Sequence, residues 1–175
     1  MEESKSNTIF KRAMADGPIM GACFIGFFVC SALSTSSLIL SLLGFVLMCA
    51  PPFLLFFLLK RSQVRAEGQL TFSLLWLEGV MTMVLGSIFL AILAFVYLRW
   101  VNPSFIADQL NSSIAALEQL GSQYDGLADQ MRQIVKSGDL PSPLAVAGSL
   151  IQFAFLTGTV LAAIVAAIVR AIKIK

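Results

Sequence analysis

The sequence predicts an all-α integral membrane protein with four transmembrane helices. Three observations support this prediction: the composition, the apolar runs and the charge of the loops. Of its 175 residues, 58% are apolar and 13% are charged, whereas about one quarter of the residues in soluble domains are charged. The mean hydropathy is +0.87. This composition excludes a soluble globular enzyme, a disordered tail and a nucleic-acid-binding protein. We therefore expect the lipid bilayer, and no nucleic acid, as a partner.

Four apolar runs define the predicted spans, each of them close to or longer than the about 20 residues that cross a bilayer core. They cover about residues 17–34, 37–59, 70–101 and 144–172. Four polar residues at 34–37 separate the first two runs, which suits a tight helical hairpin. We expect residues 1–175 to form a single membrane domain.

The distribution of Lys and Arg predicts the orientation of the spans. Nine of the 12 basic residues fall in the two termini or in the connection between spans two and three. The other three flank or occupy residues 102–140. Basic residues accumulate on the cytoplasmic side of bacterial inner-membrane proteins, so we expect both termini to be cytoplasmic and residues 102–140 to be periplasmic. The basic link Lys60, Arg61 and Arg65 would then contact a cytoplasmic partner or anionic lipid headgroups.

The polar segment 102–140 has apolar residues at every third or fourth position, a spacing typical of amphipathic helices. Gly121 divides it into two expected helices, about Ser104–Leu120 and Gln123–Lys136. Asn102-Pro103 would begin the first helix as cap and first-turn proline. Two roles remain open for the segment. Its polar face either is solvated while the helices rest on the spans or the membrane surface, or it docks a periplasmic or membrane partner.

Glu78 is the only ionisable residue that lies well inside a predicted span. A charge in the membrane interior costs on the order of 2 to 3.5 kcal/mol even on mild insertion scales, so such residues usually face protein or a wet cavity. Glu78 is therefore a candidate functional residue, for example a site for a proton or a cation. The alternative is a structural Glu that hydrogen-bonds a neighbouring helix.

Pro51 and Pro52 interrupt the second span. They remove two amide donors and predict a helix kink. Broken helices line binding sites in some transporters, but one kink without a counterpart in the other half of the chain favours a role in packing. Small residues such as Gly17 and Gly21 allow close helix approach, either within the chain or in a homo-oligomer.

The sequence offers little for catalysis or metal binding. It has no histidine, and its three cysteines, Cys23, Cys30 and Cys49, all lie in apolar runs. We find no phosphate-binding loop, no nucleophile elbow and no zinc-protease motif. We therefore expect no metal, no cofactor and no enzymatic activity.

Several short motifs resemble a family of small inner-membrane proteins of Bacteroidetes known as domain of unknown function 4199. The motifs are Glu67-Gly68-Gln69-Leu70-Thr71-Phe72 and Asn102-Pro103-Ser104-Phe105. The resemblance covers nearly the whole chain and implies no assigned activity. Members are often encoded beside a glycosyltransferase that resembles polyprenyl-phosphate sugar synthases. This association implies an accessory role near lipid-linked sugar chemistry.

Three functions compete on this evidence. The first is a non-enzymatic accessory or scaffold subunit for an envelope or lipid-linked glycan enzyme, with a membrane-associated glycosyltransferase or another envelope protein as partner. The second is a small oligomeric transporter or channel that uses Glu78 and the Pro51-Pro52 kink. A membrane enzyme is the weakest, because the acidic residues of segment 102–140 would lie most of a bilayer away from Glu78.

Overall fold

The computed structural model describes residues 2–33 and 38–172, which form six α-helices. These are α1 (Glu2–Leu33), α2 (Leu38–Arg65), α3 (Phe72–Val96), α4 (Phe105–Leu120), α5 (Asp125–Ser137) and α6 (Pro143–Ala171). A π-helical turn, Tyr97–Val101, extends α3, and a 3-10 turn, Ser122–Tyr124, joins α4 to α5. No β-strand occurs in these two ranges. The hairpin turn expected at 34–37 lies outside them.

Four of the helices contain stretches that are long and apolar enough to cross a membrane. These stretches are Thr8–Leu33, Ile39–Arg65, Phe72–Val101 and Pro143–Ala171. At 26 to 30 residues, each exceeds the about 20 residues that a bilayer core requires. The predicted all-α class and the four apolar helices expected of a multi-pass membrane protein are confirmed.

The first two helices are longer than the apolar runs that predicted them. α1 begins at Glu2 rather than near residue 17, and its first half buries Ile9, Ala13 and Asp16. These positions are four and three residues apart, so they lie on one face of a helix. α2 likewise continues six residues past Leu59. In both helices the buried face extends into sequence that contains charged residues, which hydropathy alone assigns to a loop.

α3 contacts all three other long helices. Towards α1, a Cβ atom built on Gly86 would lie 3.0 Å from the Gly21 nitrogen. Towards α6, a Cβ on Gly79 would lie 2.8 Å from Ala162 Cβ, and Trp76 Nε1 donates to the Thr159 carbonyl at 3.0 Å. Small residues therefore permit the close backbone approach that helix packing in membranes uses. A buried apolar cluster includes Met20, Leu55, Leu59, Leu75 and Ala166.

The chain divides into two compact units, residues 1–93 with 148–175 and residues 94–147. The first contains α1, α2 and most of α3 and α6. The second contains α4 and α5, which contact each other. Within it, Arg132 of α5 pairs with Glu118 of α4 and, at 2.6 Å, with Asp129 of its own helix.

The ends of α4 and α5 differ from the predicted ones. Asn102 does not begin α4, because its amide N–H donates to the Tyr97 carbonyl at 2.9 Å and so ends the π-helical turn. Pro103 lies in the turn that follows, and α4 begins at Phe105 with Ser104 as N-cap. α5 begins at Asp125, two residues later than predicted, because the 3-10 turn comes first.

Candidate functional site

Glu78 lies on the buried face of α3. The side chain is 0% exposed, and the Thr82 hydroxyl one turn later donates to the Glu78 backbone carbonyl at 2.8 Å. Glu78 is six residues into its apolar stretch, which corresponds to about 9 Å of helix. The carboxyl group is therefore enclosed by protein, two turns from the end of the helix rather than halfway along it.

Two other helices reach Glu78 through a serine. Ser62 of α2 is 3% exposed, and its hydroxyl donates to Glu78 Oε2 at 2.9 Å. Arg12 of α1 donates from Nη1 to the same hydroxyl at 3.1 Å. A single hydroxyl therefore links a guanidinium to a carboxyl group. The expected hydrogen bond between Glu78 and a neighbouring helix is present, and it joins α1, α2 and α3.

Asp16 is a second buried acid in the same region. It is 7% exposed and lies one helical turn beyond Arg12 on α1. Its carboxylate interacts electrostatically with Arg61, Arg65 and Arg12, and Glu78 interacts with Arg12, Asp16 and Arg65. We call Arg12, Asp16, Ser62 and Glu78 the polar cluster. Because opposite charges are adjacent, the cluster offsets part of the cost of burying each one.

The idea that Glu78 is alone among the spans is therefore wrong. Arg12 and Asp16 both lie within the apolar stretch Thr8–Leu33. From hydropathy alone they belong to the N-terminal tail, because they precede the apolar run that starts at residue 17. The spacing of Ile9, Ala13, Asp16 and Met20 was the signal that identifies the buried face, since all four positions fit one side of a helix.

The turn between α2 and α3 follows the end of α2 that carries Ser62. Gly68 has a φ of +76°, and Glu67 before it has a φ of +51°. The Gly68 N–H donates to the Gln63 carbonyl at 3.0 Å, while Gln63 Nε2 donates back to the Gly68 carbonyl at 3.1 Å. Gly68 is suited to this conformation because it lacks a Cβ. The Glu67–Phe72 motif therefore fixes the connection that leads into α3.

The predicted basic link is helical. Lys60, Arg61 and Arg65 occupy the last turns of α2, and the connecting residues are 66–71. Lys60 Nζ lies 5.9 Å from the centre of the Phe56 ring. Arg61 and Arg65 act electrostatically on Asp16. These basic side chains therefore belong to the end of the bundle that holds the polar cluster, instead of a separate loop.

Pro51 and Pro52 are not part of the polar cluster. Both lie inside α2, which continues through them. Pro51 precedes Ser62 by eleven residues, or about 16 Å along the helix. Beside Pro51 and Pro52, residues of α2 line an open apolar cavity of about 520 Å³. Its lining residues are Phe45, Val46, Cys49, Ala50, Phe53, Leu54 and Phe57. The structure thus separates the proline pair from Glu78.

Within the described ranges, no group of three or more His, Cys, Asp or Glu residues is arranged to hold a metal ion. The three cysteines are free thiols. The chemistry at hand in the polar cluster is therefore that of two carboxyl groups, a guanidinium and a hydroxyl. Such groups bind or transfer protons and pair with charged ligands.

Comparison with known proteins agrees with the resemblance seen in the sequence. No curated protein matches the chain. No solved structure matches it. A family model described as "Protein of unknown function (DUF4199)" matches residues 16–171, which include every α-helix in whole or in part. The chain belongs to this DUF4199 family.

Proposed function

We propose that this protein is a non-enzymatic accessory subunit of the bacterial inner membrane. In this proposal it anchors or stabilises an envelope enzyme, and a membrane-associated glycosyltransferase of lipid-linked glycan chemistry is the favoured partner. The observation that carries the proposal is the compact helical unit formed by residues 94–147 between the third and fourth apolar helices. A compact helical unit with its own internal contacts suits a subunit that recruits or holds another protein.

The surface of α5 supports a binding role for that unit. Leu127 and Ile134 are 46% and 42% exposed, although they are the apolar face of an amphipathic helix. These two residues are seven positions apart and so lie on one face of the helix, and contiguous exposed apolar patches mark interaction sites. Arg132 pairs with both Glu118 and Asp129, so these exposed polar side chains are engaged within the unit.

Affinity purification from the native host, in a gentle detergent and at native expression, tests this function. We expect an envelope protein, identified by mass spectrometry, to accompany the wild-type chain. The double variant Leu127→Ser/Ile134→Ser should lose it, whereas Gln130→Ser, at an exposed polar position of the same helix, should keep it. Recovery of the chain alone would contradict the accessory role.

A small oligomeric transporter is the second candidate, and the burial of Glu78 in an apolar helix is the observation that favours it. Intramembrane acids often mark ion or proton pathways. Proteoliposomes should then show a flux that Glu78→Gln abolishes. Glu67→Gln is the matched control, because Glu67 is an exposed acid in the α2–α3 turn. Absence of flux across several ions and pH gradients would count against transport and would leave the accessory role unaffected.

A further inference from the structure

One oxygen of the Glu78 carboxyl group has no hydrogen-bond partner among the described residues. Oε2 accepts the Ser62 hydroxyl, whereas Oε1 is fully buried and unpaired. A buried carboxylate oxygen that lacks a donor is costly, because the group has exchanged water for an environment that does not solvate it. A proton, a cation or a hydrogen-bond donor that binds at Oε1 therefore stabilises the buried carboxylate.

A cleft lies two hydrogen bonds away from this carboxyl group. A cleft of about 160 Å³ lies between the first half of α1 and the α2–α3 turn, and it borders Arg12. Its other lining residues are Thr8, Ile9, Ala66, Gln69, Leu70 and Leu74. Water occupies about 30 Å³ per molecule in the liquid, so the cleft has room for several. From Arg12, the hydrogen-bonded path runs to Ser62 and then to Glu78.

The charged groups around Glu78 come from two helices. Arg12 and Asp16 of α1 and Arg65 of α2 act on it electrostatically. α6 packs against α3 through Ala162 and Gly158, and its only charged residue, Arg170, is eight positions beyond Ala162. With Asp16 and Glu78 both ionised, these two acids balance Arg12 and Arg65, and protonation of either acid leaves a net positive charge in the group.

We propose that Glu78 is a proton-binding site that exchanges protons with water in the Arg12 cleft. A proton from hydronium in the cleft water binds the carboxylate at Oε1, the oxygen that has no donor, and converts it to the neutral acid. On release a water molecule takes the proton back. Binding removes the negative charge that Ser62 connects to Arg12, and so it weakens the link between α1 and α3. The proposal is independent of any partner protein.

A proton fits this site better than a metal ion does. Mg²⁺ and Ca²⁺ require about six to eight oxygen ligands, whereas the side chains of the polar cluster hold fewer, in two carboxyl groups and one hydroxyl beside the guanidinium of Arg12. The other buried oxygen without a partner, Gln63 Oε1, belongs to an amide group that is held at the α2–α3 turn by bonds to the Gly68 and Leu70 carbonyls. A proton needs a single oxygen and tolerates the nearby positive charge better than a divalent ion.

Carbodiimide labelling of the full-length protein in lipid nanodiscs tests the proposal. Dicyclohexylcarbodiimide is apolar and reacts with protonated carboxyl groups, because the carboxyl proton moves to the reagent nitrogen as the oxygen attacks the central carbon. Mass spectrometry locates the adduct. We expect labelling at Glu78 that falls about tenfold per pH unit on the alkaline side of its titration, since it follows the protonated fraction. A water-soluble carbodiimide should label the exposed Glu67 in the same sample and shows that the peptides are recovered.

Two serine variants separate the proton site from a structural role. Ser62→Ala should extend Glu78 labelling to higher pH, because the charged carboxylate loses a donor. Ser87→Ala should leave the labelling curve unchanged, because Ser87 is equally buried on α3 but bonds within its own helix. Glu78 labelling that is absent at every pH, or that is the same at every pH in folded wild-type protein, would overturn the proposal.

Discussion

Ser62 connects three helices through one hydroxyl group. It accepts from Arg12 and donates to Glu78, so its removal leaves the buried Glu78 and the half-buried Arg12 without their shared partner. Hydrogen bonds between membrane helices contribute about 0.6 kcal/mol on average and up to about 1.7. The charged partners of Ser62 place its contribution towards the upper end of that range.

Ser62→Ala is therefore expected to lower the free energy of unfolding by about 1 to 2 kcal/mol. Thermal unfolding in a mild detergent measures the effect. Ser87→Ala is the control, because the Ser87 hydroxyl donates to the Val84 carbonyl in the same helix. Removing this hydroxyl leaves no charged side chain without a hydrogen-bond partner. Equal losses of stability in both variants would show that the link to Arg12 and Glu78 contributes nothing.

At this scale the sequence predicted Glu78 but not the side chains around it. A single acid in an apolar run stands out in a hydropathy profile. Arg12, Asp16 and Ser62 do not, because they lie where the sequence becomes more polar towards a chain end or a loop. Their roles depend on contacts across 50 and 16 residues of sequence. No local pattern encodes such distances, although the buried spacing from Ile9 to Met20 does indicate which face of α1 packs inward.

Among the elements, the contact between α3 and α6 depends on the smallest side chains. A Cβ on Gly79 would lie 2.8 Å from Ala162 Cβ and 3.3 Å from Leu59 Cδ1. Ala162 has no flexible end that can move aside, so the helices themselves would have to separate. Overpacking of this kind costs about 1 to 3 kcal/mol.

Gly79→Ala should accordingly destabilise the bundle by about that amount, measured as a lower midpoint of thermal unfolding. Gly148→Ala tests the same substitution at a helical glycine of α6 with no atom within 4 Å of the added Cβ, and it should leave the midpoint unchanged or slightly higher because alanine favours the helix. If Gly79→Ala were as well tolerated as Gly148→Ala, the close approach of α3 to α6 would be wrong.

The unit of α4 and α5 offers a milder test. The side chains of Arg132 and Glu118 are 42% and 46% exposed, and exposed ion pairs contribute about 0 to 1 kcal/mol. Arg132→Ala should therefore speed hydrogen–deuterium exchange in α4 and α5 by less than about fivefold, and high salt should reduce the difference. Lys136→Ala removes the same charge one turn later. Equal effects of the two variants would mean that net charge, rather than the pair, is responsible.

The existence of all six helices follows from sequence periodicity and run length, whereas several ends do not. Asn is a residue type that often caps helices, yet the backbone N–H of Asn102 completes the preceding π-helical turn. α2 passes through Lys60 and Arg61 because Ser62 and Gln63 are buried on the same face as Leu55 and Leu59. Helix ends therefore depend on tertiary contacts that a local reading of charge and capping residues misses.

For the whole molecule, the orientation of the spans rests on charge alone. Nine basic residues fall on the side of the termini and of the α2–α3 connection, against three near residues 102–140. From the positive-inside rule we expect Gln69, in the α2–α3 connection, to be cytoplasmic and Gln123, between α4 and α5, to be periplasmic. Of the four apolar stretches found in the described residues, Phe72–Val101 alone lies between the two positions.

Cysteine accessibility tests that orientation directly. With Cys23, Cys30 and Cys49 replaced by alanine, Gln123→Cys should react with a membrane-impermeant maleimide in intact spheroplasts, and Gln69→Cys should react only in inverted vesicles. Both positions have exposed side chains, so a lack of reaction on one side reports the membrane barrier and not burial in protein. Labelling of both cysteines from the same side would mean that the chain crosses an even number of times between them.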